Sequence, residues 1–86
     1  MITILTSTVP ATDTKGTRVI ARFGEAGWGG KRHTASWNYE MNHEMNHEAA
    51  ALALYQEHGV RRAVYVGSGS IGHARRAHLF RLVSNP

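Results

Sequence analysis

The stretch Asn42-His43-Glu44-Met45-Asn46-His47-Glu48-Ala49-Ala50-Ala51-Leu52-Ala53-Leu54-Tyr55-Gln56-Glu57-His58-Gly59 decides the fold. It predicts one amphipathic helix. Asn42 is a fitting N-cap, Glu44 sets an acid in the first turn where the helix dipole favours it, and Gly59 supplies the stop. On a helical wheel Ala51, Leu52, Leu54 and Tyr55 form the apolar arc, with His47 and His58 at its margin. Asn46, Gln56 and Glu57 fall on the other side. A helix with one apolar arc must bury it on another element, and the flanking sequence offers strands.

Upstream, residues 2–7 alternate as a first strand with Ile2 and Ile4 on one face, and residues 10–16 read as a polar loop. Residues 17–23 form a second strand that sets Val19, Ala21 and Phe23 opposite Arg18, Ile20 and Arg22. Residues 24–30 are a glycine-rich turn carrying Trp28. Residues 31–38 return as a third strand anchored by Trp37. Downstream, residues 63–66 make a fourth strand and 78–83 a fifth, separated by a Gly/Ser loop. The expected fold is α+β: four to five antiparallel strands in one sheet, one helix packed on one face, order β-β-β-α-β-β.

An 86-residue chain supports one domain with one modest core. No apolar run approaches the roughly 18 residues that span a membrane, and Met1-Ile2-Thr3-Ile4-Leu5 does not resemble a secretory signal. The chain has no cysteine, so neither disulfides nor a thiolate metal site enter; a reducing cytoplasm fits this composition. Ten Lys+Arg face six Asp+Glu, and eight of the ten cations are Arg. Arg61, Arg62, Arg75, Arg76 and Arg81 crowd the last third. A guanidinium fork suits phosphates, carboxylates and protein interfaces, so the basic end points to nucleic acid or an acidic protein surface.

Two motifs suggest chemistry. His43-Glu44-Met45-Asn46-His47 is an H-E-x-x-H pattern, which on a helix sets two histidines one turn apart to share Zn²⁺ with Glu44 as general base. It lies inside a tandem Met-Asn-His-Glu duplication, Met41–Glu44 and Met45–Glu48, that generates the pattern by itself. No third ligand has the right spacing, and His47 is expected to pack and hydrogen-bond to backbone or Trp37. The second motif, Gly67-Ser68-Gly69-Ser70-Ile71-Gly72, matches G-x-G-x-x-G after a strand. A dinucleotide site would need a following helix and an acid about 20 residues on, yet 14 residues remain and none is acidic. What survives is a flexible hairpin connection whose amides, beside His73, Arg75 and Arg76, could cradle a phosphate.

Thr14-Lys15-Gly16-Thr17-Arg18, then Ser36-Trp37-Asn38-Tyr39, then Asn46-His47-Glu48-Ala49-Ala50 resemble a group of small phage-encoded accessory proteins. That group carries a T-(K/R)-G-(S/T)-R strand, a W-(D/N) strand end and an N-H-x-x-A-A helix. The resemblance covers most of residues 12–59. Its shared histidine is His47, whereas His43 falls where the pattern is free. It implies a non-enzymatic protein that binds and inhibits a host defence component, in the manner of anti-CRISPR proteins. The implied partner is a host defence protein or ribonucleoprotein complex, with no cofactor and no membrane. Nucleic acid and a second copy of the chain are the further partners to weigh. The candidate binding residues are Arg61, Arg62, Arg75, Arg76, Trp28, Lys31 and Arg32, with Trp28 as the anchor. The alternatives are a small basic protein that binds nucleic acid or nucleotide phosphate, and an H-E-x-x-H zinc hydrolase that uses His43 and His47.

Overall fold

A computed structural model describes residues 2–24, 30–59 and 62–83. Five strands and one helix follow in the order β1 (Ile2–Val9), β2 (Arg18–Phe23), β3 (Arg32–Ser36), α1 (His43–His58), β4 (Ala63–Gly72) and β5 (Arg75–Leu82). All pairings are antiparallel and the spatial order is β3-β2-β1-β5-β4. The architecture is the expected α+β sheet with one helix on one face. β1 lies at the centre because β5 returns to pair with it after the helical crossover.

Period-2 alternation sorts the side chains of each strand. Ile2 and Ile4 of β1, Val19, Ala21 and Phe23 of β2, and Phe80 of β5 turn to the helix face and are buried. Ala50, Ala51 and Leu54 of α1 close the core from above. Two alanines in succession let the helix backbone approach the sheet closely, and Tyr55 stacks on Phe80 at 5.2 Å between ring centroids. The helix lies over β1, β2 and β3 and touches β5 lightly, so β4 and the far half of β5 extend beyond its cover. No helix among the described residues is long and apolar enough to cross a membrane.

Two expectations need correction. Residues 67–72 are strand, not loop: they continue β4 paired with β5, from Gly67 opposite Leu79 to Gly72 opposite Arg75, with register shifts at Tyr65/Gly67 and Ser70/Gly72. The hairpin turn is His73-Ala74, with Ala74 in the left-handed region at φ 56°. Cross-strand pairing has overridden the weak strand propensity of glycine and serine. Second, Asn46 does not face solvent. It is buried, its Oδ1 accepts from the Asn38 N–H at 2.8 Å, and its amide is shared among the carbonyls of Asn38, Met41 and Asn42. It thereby ties the end of the third strand's connection to the helix start. Gly59 caps the helix as expected, its N–H donating to the Tyr55 carbonyl. Its φ is −73°, and glycine is required because a Cβ would lie 2.6 Å from the Tyr55 carbonyl and ring.

Candidate functional site

The helix face of the sheet holds a buried hydrogen-bonded chain. β1 alternation carries Thr6 and Thr8 to this face beside the core isoleucines, α1 lowers His47 onto them, and β5 brings His78 alongside. The Thr6 hydroxyl lies 2.6 Å from His47 Nδ1 and 2.8 Å from His78 Nε2. The outer nitrogens are also engaged: His47 Nε2 with Thr8 Oγ1 at 2.8 Å, and His78 Nδ1 with the Tyr65 hydroxyl at 3.1 Å. Both imidazoles are 0% exposed. Burial pushes the pKa of each from 6.5 down to about 4, helped for His47 by His43 and Arg76, and for His78 by His47 and Arg76. The chain is therefore uncharged at neutral pH.

In this arrangement His47 is engaged within the core rather than presented as a ligand. The His43 and His47 rings do stand one helical turn apart, 4.4 Å between centroids, with His43 tilted against Trp37. However, His47 turns both its nitrogens to threonine hydroxyls and its ring edge to Trp37, so its one acceptor nitrogen already has a partner in either tautomer. The expectation that His47 is packed holds, but its partners are side-chain hydroxyls rather than backbone. The Glu44 carboxylate lies out in solvent, 4.0 Å from Arg76. Among the described residues no cluster of three ligand-type side chains joins the pair.

The other face of the sheet has no covering element among the described residues. The same alternation sends Leu5, Arg18, Ile20, Arg22, Arg32, Val64, Arg75, Leu79 and Arg81 there. Five arginines thus rim a stripe of aliphatic side chains. Arg22 stands directly opposite Arg32 on one side and Leu5 on the other. Among the described residues none of the five arginines pairs with a carboxylate, since the acids sit in loops (Asp13, Glu40) or on the helix (Glu44, Glu48, Glu57) on the opposite side. The sheet is electrostatically two-faced.

The candidate binding residues divide accordingly. Arg32 and Arg75 belong to the open face, with Lys31 exposed just before β3. Arg76 does not join Arg75: neighbours in a strand point to opposite faces, so Arg76 lies half-buried on the helix face. There its guanidinium donates to Ser68 Oγ at 3.0 Å while its Nε is buried without a partner. Arg62 is exposed in the link between α1 and β4, where its carbonyl accepts from the Val83 N–H at 2.9 Å. Trp28 and Arg61 lie outside the described residues. The Gly67–Gly72 stretch, extended in the sheet, does not curl into a phosphate cradle. Arg18, Arg22 and Arg81 complete the face and were missed as site residues, although alternation alone sets Arg18 and Arg22 on one side of β2. Thr6 and His78 carry no sequence signal that would have joined them to His47. Comparison with protein-family models, with curated proteins and with solved structures finds no match.

Proposed function

We propose that the protein is a non-enzymatic binding module that docks its open sheet face on an acidic protein surface. On the resemblance to phage accessory proteins, the partner is a host defence protein or ribonucleoprotein complex whose action the binding blocks. The observation that carries the reading is the five-arginine rim around Leu5, Ile20, Val64 and Leu79, with no carboxylate on that face among the described residues. Arginines bordering an aliphatic centre are the composition of protein interfaces. Like charges placed directly opposite, as Arg22 and Arg32 are, oppose sheet pairing, and a partner's carboxylates would relieve that repulsion. Base stacking on nucleic acid calls for aromatic side chains on the contacting face, and among the described residues this face has none.

The test is a pull-down with tagged protein from bacteria that express several defence systems, after nuclease treatment and a high-salt wash. A stoichiometric protein partner is expected with the native chain and is lost with Arg22→Glu plus Arg75→Glu. Arg22→Glu leaves the sheet intact because it turns a repulsive pair with Arg32 into an attractive one. Recovery that depends wholly on nucleic acid and collapses with salt would overturn the reading in favour of phosphate binding, and so would retention of the partner by the charge-reversed variant.

A further inference from the structure

The two edges of the sheet differ in kind. β3 is a five-residue edge introduced by Lys31 and Arg32 and lies under the helix. Short length, cations and a covering element are the usual means of preventing an edge from pairing further. β4 has none of these three, and its register shifts at Tyr65/Gly67 and Ser70/Gly72 leave a regular segment between them. It runs ten residues, Ala-Val-Tyr-Val-Gly-Ser-Gly-Ser-Ile-Gly, with no charge and no proline, and pairs with β5 along one side only. Among the described residues no further strand pairs with its outer side. Exposed aliphatic side chains concentrate on it as well: Val64 is 45%, Val66 54% and Ile71 48% exposed. In a chain of net charge +4, this neutral strand is where a second copy meets least repulsion.

We infer that the protein forms a twofold dimer by antiparallel pairing of β4 with β4 of a second copy. Register shifts at Tyr65/Gly67 and Ser70/Gly72 bound the regular part of the strand. A twofold axis normal to the sheet keeps each side chain on its own face, so opposed residues must have numbers of the same parity within that regular part. Centring on Gly69 meets this condition: Gly69 faces its own counterpart and Ser68 faces Ser70, with Ile71 at the irregularity just beyond. Each Ile71 then stands close to the axis, on the shallow groove that it lines with Gly67, Gly69, Ala77 and Leu79. The same axis places both arginine-rimmed faces on one side of a continuous ten-stranded sheet. The inference itself stands on the edge strand and not on the proposed partner.

Sedimentation equilibrium of the native chain across a dilution series is expected to give twice the 9.5 kDa chain mass. Gly69→Lys plus Ile71→Lys sets like charges across the axis and is expected to give the single-chain mass with an unchanged circular dichroism spectrum. A Cβ at Gly69 meets nothing within 4 Å, so Gly69→Cys fits; two opposed residues lie within disulfide reach. In this cysteine-free chain the G69C variant is expected to oxidise to a covalent dimer, while V64C, far from its own counterpart, is not. A native chain of single mass throughout, a lysine variant that stays dimeric, or equal cross-linking of V64C would each overturn the inference. Loss of the protein partner in the pull-down would leave these results unchanged, so the two readings fail separately.

Discussion

Replacing Thr6 by valine removes one oxygen and keeps the side-chain shape. In the native fold that oxygen serves His47 Nδ1 and His78 Nε2 at once, in a place with almost no solvent exposure. Each orphaned ring nitrogen costs about 1–3 kcal/mol, so Thr6→Val is expected to destabilise by about 2–6 kcal/mol. The whole stability of an 86-residue domain is about 4–13 kcal/mol, so a large fraction is at stake. The assay is urea unfolding followed by tryptophan fluorescence, where a slope near about 1 kcal/mol per molar turns the loss into a midpoint shift of at least about 2 M. Thr8→Val is the internal control. Thr8 is only partly buried and serves His47 Nε2 alone, so about 0.5–1.5 kcal/mol is expected. A Thr6→Val loss below about 0.5 kcal/mol, or one no larger than that of Thr8→Val, would refute the view that the bridging hydroxyl holds the two histidines in the core.

Acid should weaken the fold in a defined window. His47 and His78 titrate near 4 in the folded chain against 6.5 unfolded, so the unfolded state takes up their protons first. Stability is then level above about pH 7 and falls as pH drops from 6.5 toward 4, by at most about 1.4 kcal/mol per pH unit for each histidine; urea midpoints that stay constant across this range would contradict the assignment. Gly59→Ala forces a Cβ to 2.6 Å from Tyr55, which itself stacks on Phe80. A loss of about 1–3 kcal/mol is expected, seen as a fall in Tm, and an unchanged Tm would show that the helix end relaxes freely. Ala74→Gly works the other way: it relieves a left-handed alanine at φ 56° and should add about 0.5–1 kcal/mol, again read from Tm.

What could be read from residues alone divides by the range of the signal. The helix, both its caps and the first three strands follow from local patterns: Asn42 does accept from the Met45 N–H, and β1 to β3 lie within a few residues of their predicted bounds. The Gly/Ser stretch misleads because its composition is that of a turn, whereas its conformation is set by partners three to twelve residues downstream. Asn46 misleads because polar residues usually face water, yet here three backbone carbonyls and an N–H need a partner under the helix start. The arginine cluster was sought in the sequence neighbours Arg75 and Arg76, which a strand necessarily separates. The face that forms instead gathers residues from β2, β3 and β5, and only the sheet order reveals it. The meeting of His47 with His78 through Thr6 joins positions 41 and 72 apart in sequence, beyond the reach of any local pattern.

The run from Tyr65 through His78, Thr6 and His47 to Thr8 has one further property. With both rings neutral, every link can be filled by sending each hydrogen toward Tyr65 or each toward Thr8. In the first case both imidazoles carry hydrogen on Nδ1, and in the second both carry it on Nε2. The two tautomers are therefore ganged: one ring cannot exchange its form without the other unless Thr6 turns its hydrogen to the Arg76 carbonyl, a longer contact of 3.4 Å. An event at the Tyr65 hydroxyl, near the uncovered end of the sheet, would thus be registered at His47 under the helix by moving hydrogens alone, with no heavy atom displaced.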